Sequence, residues 1–267
     1  MTQLELATVQ GANTVEVTAA IGALLDTRLG ADVSVRVLPS DGHWEALRAR
    51  LLAGTLDIGW ICAATFAATL DADAPPPFEL LAAPQWAGPC YHDAPCYFTD
   101  IVARAEHHAT HIAALADARW VYNERGSLTG HLAVVDALDR GLAPDALESG
   151  SHPASVEALL DGRADVAAID STLYDYLRAR RPELDQRLRV VCSLGPFASP
   201  PWIVSRRLPP ALRTRLRDEL CTLHEHAEGR AALAHGRLAR FVAARADDYA
   251  AVAALIARAA TLAPVLE

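Results

Sequence analysis

Residues 149–170 read SGSHPASVEALLDGRADVAAID. The run divides into a helix start, a helix and a strand. Ser151 or His152 is placed to cap, and Pro153 suits the first helical position, where a missing N–H costs nothing. Ala164 to Ile169 then forms a short apolar strand that closes on Asp170. A helix handing directly to a buried strand is the order of an α/β protein, and the rest of the chain repeats it.

Upstream, Leu4 to Val9 reads as a strand followed by a helix from about Thr14 to Leu29, with Asn13 and Glu16 spaced like a capping box and Gly30 as the stop. The strand Val33 to Leu38, the helix His43 to Ala53, a Gly54 stop and the strand Leu56 to Ile61 complete a second unit. Leu56 to Ile61 is apolar enough to be covered on both faces, which predicts parallel pairing. After the break at Pro75-Pro76-Pro77, Phe78 to Ala83 and Cys96 to Ala103 read as extended, the second as a crossing between lobes. Trp120 to Tyr122, a helix after Thr129, the run quoted above and Leu188 to Cys192 form a further α/β series. Pro200-Pro201 leads into Trp202 to Ser205 and then helices Pro209 to His226 and Arg245 to Leu262. The predicted architecture is two α/β lobes, the first built from residues 1–97 and 200–267 and the second from 98–199, with a ligand cleft between them.

Composition excludes several classes. With 52 % apolar and only 6 % aromatic residues, the 267-residue chain builds its interior from Ala, Leu and Val. Its formal charge of -9 is spread along the chain, and no basic cluster interleaves with aromatics, so nucleic acid is not an expected partner. The longest Ala-rich stretch, near the C-terminus, is broken by Arg245, Asp247, Asp248 and Arg258, so no membrane span is expected. The N-terminus shows no export signal and the five cysteines give no disulfide framework, which together predict a cytoplasmic chain. A periplasmic protein whose signal has been removed reads the same way.

The segment Asn123-Glu124-Arg125-Gly126-Ser127-Leu128-Thr129-Gly130-His131 lies between a strand and a helix. Gly126 and Gly130 allow close backbone approach, Ser127 and Thr129 offer hydroxyls, and the first N–H groups of the helix point the same way, as an oxyanion requires. A plain N-cap would use the same residue types. If this start and the one at Ser151-His152 converge, their dipoles act on one anion without Arg or Lys, which reconciles an acidic protein with an anionic ligand.

Taken in order, these pieces resemble the PhnD-like phosphate/phosphonate solute-binding proteins of ABC transporters. The carrying residues are the Gly150-Ser151-His152 start running on to Ile169-Asp170, the Leu52 to Ile61 strand, the Tyr97 to Arg104 strand and the Ser127 to His131 loop. The resemblance covers about Leu52 to Ser205 and implies a type 2 periplasmic-binding-protein fold. It further implies a ligand held through Tyr97, Ser127, Thr129, His152 and donors around Gly130, with Asp170 facing it and Trp60 walling the cleft. The implied partners are a small anion and an ABC permease, with no cofactor or metal, and the chain is expected to be a monomer or weak oligomer. Departures from the family pattern are Leu128 in place of a small hydroxyl residue, His131 in place of Tyr, and a first turn at residues 10–13 without Pro.

His107-His108-x-x-His111 has no acidic partner and is not read as a metal site; His224 and His226 fall on different helix faces. The competing readings are an enzyme on the same scaffold, like the menaquinone-pathway lyases or pyrimidine-precursor synthases, and an intracellular ligand sensor. No nucleophile–base constellation marks an enzyme.

Overall fold

Burial along the first strand follows its sequence: Leu4, Leu6 and Ala7 are fully enclosed, while Thr2 and Gln3 face out. The computed structural model describes residues 2–39, 44–70 and 74–263. The strands of these residues are β1 (Thr2–Thr8), β2 (Val33–Val37), β3 (Ile58–Trp60), β4 (Phe78–Trp86), β5 (Cys96–Arg104) and β6 (Trp120–Tyr122). They continue as β7 (Leu147–Glu148), β8 (Val166–Asp170), β9 (Leu188–Ala198), β10 (Trp202–Ser205) and β11 (Leu238–Val242).

The chain divides into two compact units, one running up to Cys96 and including Ala198–Ala250, the other comprising Tyr97–Phe197 and the chain from Ala251 on. The first unit holds a six-stranded sheet in the order β11-β4-β10-β3-β1-β2. As its apolar run predicts, β3 pairs parallel to β1, while β10 pairs antiparallel to β3. The helix Val15–Arg28 lies close on this sheet: a Cβ at Gly22 would stand 2.2 Å from Val37 Cγ2. That helix does not begin with the expected Asn13–Glu16 box. Ala12–Thr14 form a 3-10 turn and Thr14 occupies the N-cap position, while Gly30 (φ +80°) ends the helix as read. The expected start of the second helix at His43 lies outside the described residues; Trp44–Leu52 is helical and Gly54 (φ +65°) follows it.

The second unit holds a five-stranded sheet in the order β7-β6-β8-β5-β9. β6 and β8 run parallel, and β5 returns antiparallel against β8 with Thr99 opposite Asp170 and Asp100 opposite Ile169. Each face carries its own core, Val102, Val121, Val156, Leu159 and Ile169 on one, Ile101, Trp120, Val134 and Ala168 on the other. The sequence reading assigned 200–267 to the first lobe, whereas the last helix, Ala250–Leu262, groups with the second unit, where Arg258 forks onto Asp136 at 2.7 and 3.0 Å. Strands β7 and β11 and the helix Ala227–Ala234 were not expected.

No helix of the described residues is long and apolar enough to cross a membrane. Cys62, Cys90, Cys96, Cys192 and Cys221 form no disulfide with one another.

Candidate functional site

Tyr122 ends β6, and the chain beyond it is tied to the start of the neighbouring helix. Ser149 donates to the Tyr122 carbonyl through its N–H (2.9 Å) and its hydroxyl (3.1 Å), and Gly150 N–H donates to the Asn123 carbonyl (2.8 Å). These bonds hold two helix beginnings side by side. In the first, Ser127 is the N-cap: its Oγ accepts from Gly130 N–H at 3.0 Å, and its carbonyl accepts from both His131 (3.2 Å) and Leu132 (3.0 Å). The bond from Leu132 widens residues Leu128–Leu132 into a π-turn before the α-helix Ala133–Leu138. In the second, Ser151 caps the helix His152–Leu160 through Ala154 N–H, and Pro153 sits in the first turn.

The two starts meet. Thr129 Oγ1 and His152 Nε2 are 3.3 Å apart, and a Cβ at Gly130 would stand 3.1 Å from His152 Cε1 and only 1.6 Å from Asn123 Oδ1. Glycine is therefore required at 130 by space, not by its backbone angles. The Gly130 N–H itself is engaged by Ser127, so the donors without an intrahelical acceptor are those of Leu128, Thr129 and His152. Ser127 accepts at its oxygen and keeps its own O–H free to donate.

Asp170 closes β8 and caps the helix Ser171–Arg180. Its Oδ1 accepts from Thr172 N–H (2.8 Å), Thr172 Oγ1 (2.6 Å) and Leu173 N–H (3.2 Å). Burial pushes its carboxyl above the ordinary range, against the pull of those three donors. Opposite it on β5, Thr99 is fully enclosed and its hydroxyl has no hydrogen-bond partner. The same is true of one more buried atom, Asn123 Oδ1. Burial also pushes the His152 imidazole down to about 4, outweighing the Ala168 carbonyl that favours its protonated form, so the ring is neutral at pH 7.

Of the residues singled out from sequence, the structure brings Ser127, Thr129, Gly130 and His152 together, with Asp170 at the adjacent strand end. Tyr97 is buried two residues before Thr99 on the same strand face, its ring edge-on to Phe197 at 6.3 Å. Trp60 belongs instead to the aromatic core of the first unit. It is fully buried, packs on Trp86 and Trp202 at 6.0 and 5.7 Å, and donates its N–H to the Pro200 carbonyl at 2.9 Å. His131 turns its Nδ1 to the Arg125 carbonyl (3.1 Å) and packs on Tyr122, which shapes the loop. Thr99 and Asn123 were not singled out as site residues. Period-two spacing from Tyr97 was the signal available for Thr99.

The carboxyl ends of β6 and β8 thus carry neutral donors from two helix starts, hydroxyls at 99, 127 and 129, and one carboxylate. Such a set can hold a small oxyanion without a full positive charge. No group of three metal-ligating side chains occurs among the described residues.

Among solved structures, the chain is similar to PhnD1 from Prochlorococcus marinus in complex with methylphosphonate, at 15 % identity and TM-score 0.77 over 95 % of this chain and 96 % of that one. It is also similar to a binding protein component of an ABC phosphonate transporter from Pseudomonas aeruginosa, at 17 % identity and TM-score 0.74 over 100 % and 90 %. The alkanesulfonate-binding protein SsuA from Xanthomonas axonopodis pv. citri bound to MOPS matches at 18 % identity and TM-score 0.63 over 98 % and 95 %. At these identities the likeness establishes the fold, that of the type 2 periplasmic binding proteins. A family model described as the periplasmic substrate-binding protein of phosphonate ABC transporters matches residues 6–249. The chain belongs to this family, whose members are transport-associated binding proteins and not enzymes.

Proposed function

We propose that the chain captures a phosphonate, with phosphate and phosphite as competing oxyanions, for an ABC permease outside the cytoplasmic membrane. The ligand oxygens are taken by the hydroxyls of Ser127, Thr129 and Thr99, by His152 and by the helix-start N–H groups, with Asp170 accepting from a protonated oxygen or a ligand amine. One observation carries this reading. Two buried polar atoms, Thr99 Oγ1 and Asn123 Oδ1, have no partner at the strand ends where two helix starts meet. Buried polar groups without partners cost about 1–3 kcal/mol each, and a singly protonated phosphonate relieves both, an ionised oxygen accepting from the Thr99 hydroxyl and its O–H donating to Asn123 Oδ1.

Calorimetric titration with methylphosphonate, phosphate, phosphite and sulfate tests the reading. Thr99→Val keeps the shape and removes the unpartnered hydroxyl. It is expected to lower phosphonate affinity by roughly 5- to 30-fold while leaving the free protein as stable or more so. Equal affinity in Thr99→Val and in Ser127→Ala, or no binding of any of the four anions, refutes it.

A further inference from the structure

One buried carboxylate has no role in the seat as described so far. Asp100 lies on β5 opposite Ile169, one position from the Thr99–Asp170 pair, and is 9 % exposed. Ser193 on β9 donates its hydroxyl to Asp100 Oδ1 at 2.6 Å. The charged and titratable groups around it are Asp170 at the end of β8, Asp175, Arg178 and Tyr174 of the helix Ser171–Arg180, and Cys192 of β9. Arg178 is the one cation in this set and is already engaged by Asp185 and, at 3.8 Å, by Asp175. Asp100 and Asp175 therefore share a cation that Asp185 also holds, and Asp170 adds a further negative charge nearby.

We propose that Asp100 is a charge-sensing positioning residue of the anion seat, taking up a proton from solvent when an oxyanion binds beside Asp170, so that capture strengthens as the pH falls. This rests on the functional reading above. Burial, assisted by Asp175 and Asp170 and opposed by Ser193 and Arg178, pushes the Asp100 carboxyl up to about 6 in the free protein. An arriving anion adds negative potential and raises it further. Above pH 6 the complex then holds more protons than the free protein, so binding takes up protons and affinity falls as pH rises through that window. Well below it Asp100 is protonated in both states and the dependence flattens. Each unit by which the anion raises the carboxyl corresponds to about a tenfold change in affinity.

The test is calorimetric titration of methylphosphonate between pH 6 and 8, in buffers of different ionisation enthalpy, with the wild-type protein and Asp100→Asn. Asn keeps an acceptor for Ser193. The ligand's own protonation and that of His152 are common to both proteins and drop out of the comparison. The expected result is greater proton uptake in the wild type, and an affinity that falls about three- to tenfold more than that of the variant across the range. Ser193→Ala, which removes a bond favouring the charged form, is expected to move the dependence to higher pH. Identical proton counts and identical slopes in wild type and Asp100→Asn overturn the inference. Absence of binding in both overturns the functional reading, and this inference with it.

Discussion

Burial acts on Asp100 and His152 with opposite consequences for stability. The Asp100 carboxyl is raised from its ordinary range to about 6, so the stability it contributes is complete at low pH and is lost as pH climbs to about 6. The His152 imidazole is lowered to about 4, so the folded state resists its protonation and stability is lost as pH falls from the ordinary imidazole range towards 4. The two windows overlap and oppose each other, which leaves the wild-type profile flatter than either group alone would make it. Urea unfolding at pH 4 to 7 separates them. Asp100→Asn is expected to gain stability with rising pH and to exceed the wild type at pH 7 by about 1–2 kcal/mol, whereas His152→Gln loses stability over the same range. Parallel slopes in the two variants would contradict these assignments. At this scale the sequence shows the capping residues, because Ser127, Ser151 and Asp170 bond to N–H groups two or three positions away. It marks Thr99 only by its period-two spacing from Tyr97 and does not show Asp100, since the surroundings of both are made by strand neighbours distant in sequence, nor Asn123, which meets Gly130 only once the intervening loop is folded.

Among the elements, the turn Leu128–Leu132 is one whose form the sequence conceals. A helix after Thr129 is legible from Ser127 and Thr129, but the extra residue in the turn depends on the Ser127 carbonyl accepting from Leu132 as well as His131. β11 was missed for a related reason: Leu238 and Phe241 are buried while Ala239 and Arg240 are exposed, an interval of three that breaks strand alternation where the register against β4 shifts. Gly130 makes the turn testable. A methyl group there would stand 1.6 Å from Asn123 Oδ1 and 2.7 Å from its Cγ, so the amide must leave its place and the His152 ring must yield. Gly130→Ala is expected to weaken oxyanion binding at least about tenfold, with a net stability loss of roughly 1–2 kcal/mol after the helix-propensity gain of alanine. Gly126→Ala is the control, since nothing lies within 4 Å of its added carbon. Equal binding in the two variants would show that the close contact at 130 has no part in capture.

Over the whole molecule, the chain leaves its first unit at Cys96, returns after Phe197 and leaves again after Ala250. The first two passages are marked in the sequence by an extended Tyr-led segment and by paired prolines. The third is not, because an Ala-rich amphipathic helix carries no address: its apolar stripe fits any complementary surface, and only the packed structure shows which one it covers. Val252, Leu255 and Ala259 are buried, Arg258 forks onto Asp136, and a Cβ on Gly141 would stand 3.4 Å from Ala263 Cβ. Arg258 is mostly exposed, so Arg258→Ala is expected to leave the stability almost unchanged. The apolar contacts are worth more. Ending the chain at Tyr249 removes the burial of one Val, one Leu and one Ala side chain, which is on the order of 4–6 kcal/mol taken from the second unit. Hydrogen exchange on the truncated chain is expected to quicken across 97–197 while the slow amides of β1, β3 and β4 keep their protection. Exchange that quickens first in those three strands would place the helix with the first unit, as the sequence alone had it.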